Sequence, residues 1–195
     1  MLVKKIYKPL LLLTLVLQGC NDFEDLNTNP NEPTSVSSGV LFSSAIRSSA
    51  QTQANESFLL GNNIAQLSAK TLRAEVDFYG WNAFPTVWEG FYESLTDVQQ
   101  VIDISIETGD TATQGAATIY KSWIYSVLTN AYGDIPYSEA MKGLEANFTP
   151  AYDSQEAIYA DLLSSLEQAV GMLSNGGSVS GDLLYDGDTQ KWVRF

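Results

Sequence analysis

The residues able to do chemistry are few and unevenly spread. Asp134 and Glu139 stand five positions apart around Ile135-Pro136, and Asp182, Asp186 and Asp188 fall within seven residues around Gly187. Two carboxylates suit glycosidic hydrolysis only when they face each other across a cleft, about 5 to 9 Å apart. A five-residue spacing through a proline does nothing to set that distance. A turn accounts for the pair better: Gly133 frees the backbone, Asp134 caps nearby amides and Pro136 fixes the exit. Three aspartates would suit calcium, which takes oxygen ligands, but their spacing departs from the twelve-residue loop with its terminal Glu. The expectation is turn and cap roles with no metal site, Asp188 and Thr189 capping a helix that begins near Lys191.

Four tryptophans, Trp81, Trp88, Trp123 and Trp192, have faces that stack on a pyranose. Trp88 and Trp123 fall on or beside helical apolar stripes, which makes them core. Trp81 follows Tyr79-Gly80 and precedes Asn82 in a stretch between two predicted helices. Tyr79, Trp81 and Asn82 are therefore the candidate ligand contacts. The competing reading is a hairpin tip packed by its own aromatics.

Composition narrows the chemistry further. The 195 residues contain no His and one Cys, with 23 acidic residues against 10 basic ones and a net charge of −13. Without imidazole there is no Ser-His-Asp or Cys-His system and hardly any catalytic zinc design. With no cationic surplus, phosphate neutralisation and hence nucleic-acid binding are disfavoured. Apolar residues at 45% and aromatics at 11% describe a globular chain. Binding is expected, with no catalytic residues and no cofactor.

The first residues read as export and anchoring. Lys4, Lys5 and Lys8 precede the apolar run Pro9 to Leu17, which is shorter than the roughly 20 residues a membrane-spanning helix needs. Leu17-Gln18-Gly19-Cys20 then resembles the bacterial lipobox, in which the cysteine is acylated and becomes the first mature residue. An ordinary signal peptide with a chance cysteine is the alternative. The predicted boundaries are a signal peptide over 1–19, acylated Cys20 with an irregular leader over 20–38, and a helical domain over 39–195. Cleavage removes three lysines and no acid, so the mature chain would carry seven basic residues against 23 acidic ones. Asn21-Asp22-Phe23-Glu24-Asp25 is either an acidic export tag or a solvated tether.

Five helices are expected to position these groups, over about 39–53, 56–78, 83–107, 111–132 and 154–174, with the first turns of a sixth from Gln190. The second carries Leu60, Ile64, Leu67 and Thr71 at helical spacing, weakened by Gly61. The third repeats Val87, Phe91, Leu95, Val98, Ile102 and Ile106. Thr111 with Gln114 is read as a capping box for the fourth, whose stripe is Ala117, Tyr120, Ile124, Val127 and Ala131. It ends at Gly133. Asp153 with Glu156 is read as the cap of the fifth, which buries Ile158, Leu162, Leu166, Ala169 and Leu173. The fold class is all-α, built of antiparallel helical hairpins, with tetratricopeptide-like packing possible at this scale. The chain stops in a helical run, with Trp192 and Phe195 to one side, so it is expected to be a fragment of a longer protein.

Five segments carry a family resemblance: Leu26-Asn27-Thr28-Asn29-Pro30-Asn31, Tyr132 to Ala140, Pro150 to Tyr159, Asp161-Leu162-Leu163, and Asp182 to Asp188 followed by Lys191-Trp192 and Arg194-Phe195. In this order behind a lipobox they resemble the SusD/RagB family, in its SusD-like nutrient-binding lipoprotein branch. The resemblance implies a tetratricopeptide-like helical scaffold, incomplete at its C-terminus. It implies an outer-membrane lipoprotein facing the cell exterior and no catalysis. It also implies capture of oligosaccharides for a SusC-like TonB-dependent transporter. Asn29, Pro30, Gly133, Asp134, Pro136, Asp153, Glu156 and Asp188 are expected to be structural. A peptide or other nutrient binder, a helical adaptor without a small ligand, and a surface glycoside hydrolase are the competing functions.

Overall fold

The computed structural model describes residues 36–72, 76, 78, 80 and 85–195. Cys20, Asn29 and Pro30 lie outside the described residues, as do Tyr79, Trp81 and Asn82. Residues Ser37–Phe195 form one compact unit. Its helices are α1 (Ser38–Glu56), α2 (Pro85–Thr108), α3 (Thr111–Tyr132), α4 (Gln155–Leu173) and the short α5 (Thr189–Trp192). Two residue pairs, β1 (Ile135–Pro136) and β2 (Tyr152–Asp153), form a minimal antiparallel ladder between α3 and α4. The fold is thus mainly helical.

Helix α2 packs on α1 and on α3, and α3 packs in turn on α4. The α2 stripe buries Val87, Phe91, Leu95, Val98 and Ile102, as its spacing predicts. It then drifts: Val101 and Ser105 are buried, whereas Ile106 is exposed. Helix α3 buries far more than one stripe, because neighbours flank it on several sides. Ala112, Ala116, Ile119, Tyr125 and Leu128 join Ala117, Tyr120 and Ile124 in the core, while Ala131 is exposed. Trp192 sits wholly buried against Phe42 and Tyr120, with ring centroids 5.7 and 6.2 Å away.

Close approach of α1 and α2 depends on a glycine. A Cβ at Gly90 would lie 2.5 Å from the Thr52 hydroxyl oxygen and 3.1 Å from its methyl. Rotating the β-branched side chain exchanges one obstacle for the other.

Three expectations change. The second helix does not form as a separate element. Helix α1 instead runs into a π-helical turn, Ser57–Gly61, and a single helical turn, Asn62–Ile64. The Asn63 side-chain amide donates to the carbonyls of Phe58 and Leu59. Gln66 then adopts a left-handed φ of 56°, which ends the run. Ile64 and Leu67 are exposed, so these two stripe positions are not part of the core.

The caps of α3 and α4 shift by one residue in opposite directions. Asp110, not Thr111, caps α3 by accepting from the Thr113 amide at 3.0 Å. Ser154, not Asp153, caps α4 by accepting from the Ala157 amide at 3.3 Å. Glu156 is exposed in the first turn of α4, where its charge suits the helix dipole. Asp153 is released for another role.

Candidate functional site: an aromatic surface at the helix ends

The turn after α3 is a network of carboxylates on backbone amides. Gly133 closes α3 with a φ of 77°, and its amide donates to Thr129 O at 2.8 Å. Asp134 Oδ1 accepts from the amide of Gln155, at the start of α4, at 3.0 Å. Glu139 Oε2 accepts from the Ala151 amide at 2.9 Å. Asp153 Oδ2 accepts from the amides of Tyr137 at 3.2 Å and Ser138 at 2.8 Å, and its carboxylate also takes the Ser138 hydroxyl. The Ser138 amide above all, with the Ser138 hydroxyl and the Tyr137 amide, holds Asp153 below the usual carboxylate range against the opposing effect of burial. Asp134 and Glu139 are thus spent on structure, each holding an amide across the turn.

The second acidic group behaves in the same way. Asp182 accepts from the amides of Leu184, Tyr185 and Gly187, and from the Trp192 indole N–H at 2.8 Å. Asp188 caps α5 by accepting from the amides of Gln190 and Lys191, as the sequence predicts. Among the described residues no group of three or more His, Cys, Asp or Glu side chains converges on a metal position.

The β1–β2 ladder brings Tyr152 against α2. Its ring lies 6.3 Å from that of Trp88, with planes inclined by only 24°. Tyr132, the last residue of α3, meets Trp88 edge-on at 5.2 Å. Tyr92 lies under Trp88 at 4.9 Å and donates its hydroxyl to Pro136 O at 2.7 Å. Burial pushes the Tyr92 hydroxyl far above its ordinary pKa, with Tyr125, Tyr152 and Asp153 adding to the effect, so it stays a proton donor. Tyr152 is 65% exposed and Tyr132 38%. Their rings and the edge of Trp88 make an aromatic surface that water reaches.

A carboxylate borders this surface. Glu56, the last residue of α1, accepts from the Thr86 hydroxyl through Oε1, while its Oε2 is buried without a hydrogen bond. Glu56 also helps burial raise the pKa of Tyr132. Glu56 and the exposed rings of Tyr132 and Tyr152 thus lie near one another at the helix ends.

The sequence-predicted contacts Tyr79, Trp81 and Asn82 lie outside the described residues, a few positions before Pro85 at the start of α2. Trp88 is partly buried and packs against the core, as its place beside the stripe predicts, and it also contacts the exposed rings of Tyr132 and Tyr152. Trp123 is partly buried against the core, near the expected place. Glu56, Tyr132 and Tyr152 were not legible as site residues. Tyr132 and Tyr152 lie at element ends, where helical periodicity carries no signal, and Glu56 reads as one more solvated acid.

The described residues form a mainly helical scaffold, with the acids of its turns committed to backbone amides and aromatic rings gathered at the helix ends. The sequence profile of a SusD-like family, described as "Starch-binding associating with outer membrane", matches residues 30–195. The chain belongs to that family.

Solved structures agree. A SusD homolog from Bacteroides fragilis superposes with a TM-score of 0.64 at 25% identity, over 80% of this chain and 33% of its own. A Bacteroides vulgatus outer-membrane protein, described in terms of nutrient binding, gives 0.62 at 27% identity, over 81% of this chain and 33% of its own. A second B. fragilis SusD homolog at 23% identity shares the fold, with a TM-score of 0.62. The chain therefore spans about a third of the length of these structures. A comparison with curated proteins finds no match. No helix among the described residues is long and apolar enough to cross a membrane.

Proposed function

We propose that the whole protein is a lipoprotein of the outer membrane surface, acylated at Cys20. It captures oligosaccharides and hands them to a SusC-like TonB-dependent transporter without cleaving them. The family match over residues 30–195 carries this reading. The exposed aromatic surface supports carbohydrate over peptide, since its rings suit the C–H face of a sugar. Tyr79, Trp81 and Asn82 are proposed as further ligand contacts. The consecutive packing of α2, α3 and α4 is consistent with tetratricopeptide-like hairpins.

The test uses the full-length lipoprotein. Calorimetric titration with a panel of neutral oligosaccharides should give binding with no reducing ends released. Affinity capture from detergent-solubilised outer membranes should recover a TonB-dependent transporter. Binding of peptides alone, or turnover of any oligosaccharide, would overturn the reading.

A further inference from the structure

A polar cavity, distinct in its lining from the exposed aromatic rings, lies between α2, α3 and α4. Its volume is about 190 Å³, and its walls include Gln99, Lys121, Tyr125, Tyr137, Asp161 and Ser165. Lys121 Nζ donates to Gln99 Oε1 at 2.7 Å and lies 5.9 Å from the centre of the Tyr125 ring. The other end of Gln99 donates to Asp103 at 2.9 Å, which fixes the amide so that its oxygen faces Lys121. Tyr137 donates its hydroxyl to Asp161 Oδ2 at 2.6 Å, leaving Oδ1 to accept.

The arrangement is asymmetric in what it still needs. An ammonium has three N–H donors, and Gln99 takes one. Burial pushes the Lys121 pKa down, against the opposing pull of Asp103 and Asp161. This cation has lost water and gains from any further oxygen acceptor. An anionic ligand would meet Asp161 and Asp103, and a cationic one would meet Lys121. A neutral ligand with adjacent hydroxyls serves both: one oxygen accepts from Nζ and the next hydroxyl donates to Oδ1. Pockets for drug-sized ligands span roughly 300 to 1,000 Å³, so this smaller cavity fits one sugar ring and not a chain.

We propose that this cavity is a second carbohydrate site, which takes the vicinal diol of one neutral pyranose between Lys121 Nζ and Asp161 Oδ1, with Tyr125 beside the ring. It extends the carbohydrate reading to a separate place on the molecule, and its test reads Lys121 alone.

Full-length protein is acetylated under limiting reagent, with and without glucose, galactose, mannose or xylose. The rate at each lysine is followed by mass spectrometry. Occupancy slows the reaction by a factor of 1 + [L]/Kd, so about threefold protection of Lys121 is expected at twice the Kd. The exposed Lys142 and Lys191 serve as internal references. Asp161→Asn keeps one acceptor oxygen for Tyr137 but replaces the other with an NH2 that cannot accept, and it should abolish the protection. Unchanged Lys121 rates with all four sugars would overturn the proposal, as would stronger protection by glucuronate or glucosamine. Protection of Lys121 in a protein that binds no oligosaccharide would keep this site and overturn the reading of the aromatic surface.

Discussion

Asp182 Oδ2 accepts the indole N–H of Trp192 at 2.8 Å, and the same carboxylate closes its own loop by accepting three backbone amides. One side chain therefore folds the segment after α4 and fastens the largest fully buried residue to it. The polar end of Trp192 is satisfied where its ring packs on Phe42 and Tyr120.

Asp182→Ala should destabilise the unit by about 2 kcal/mol or more, because a buried indole donor and loop amides lose their acceptor together. Asp182→Asn, which keeps one acceptor oxygen, should cost less. Chemical denaturation followed by tryptophan emission measures both; equal stability of all three proteins would refute the role.

At the aromatic surface, Tyr152→Ala should weaken oligosaccharide binding about tenfold, the equivalent of roughly 1.4 kcal/mol. Stability should change by less than about 0.5 kcal/mol, since the ring is mostly exposed. Trp88→Ala should lower both binding and stability, because its ring also packs on Tyr92. Calorimetry paired with thermal unfolding separates the two effects.

Asp153 should make stability pH-dependent at the acid end. Its folded-state pKa lies below the ordinary 3.8. Its contribution is therefore whole above that value and is lost as pH falls through the lower folded value. In Asp153→Asn the corresponding part of the acid decline in Tm should vanish, leaving a flatter profile as pH falls below the ordinary carboxylate range. An unaltered slope would show that the Ser138 and Tyr137 contacts contribute nothing.

Gly90→Ala sets helix propensity against packing. Alanine gains about 1 kcal/mol in a helix, but its Cβ would meet both Thr52 Oγ1 and the Thr52 methyl. Overpacking costs about 1 to 3 kcal/mol, so the single variant should be less stable. Adding Thr52→Ala should recover most of the loss. A double-mutant cycle with no coupling would place the α1–α2 contact elsewhere.

Much of the scaffold was legible because its causes are local. The spacing of Val87, Phe91, Leu95 and Val98 marks α2, and the acids at 188 and 110 sit where a helix start needs an acceptor, with Thr111 beside Asp110 a near-equal choice by residue type. Caps misread by one residue came from the same source. Ser and Asp are both good N-caps, and only the β1–β2 ladder, by drawing Asp153 onto Ser138, leaves Ser154 to cap α4.

By itself the sequence determined the helical class, the approximate spans of the long helices α2, α3 and α4, the absence of histidine chemistry and the family resemblance. Tertiary structure alone decided which polar and aromatic residues meet. Glu56, Trp88, Tyr132 and Tyr152 belong to four different elements, and no periodicity relates positions so far apart in the chain. Lys121 and Asp161 likewise come from different helices and line one cavity only because α3 packs on α4. Local propensity writes the elements, whereas the burial of their apolar faces, which is not local, chooses the partners.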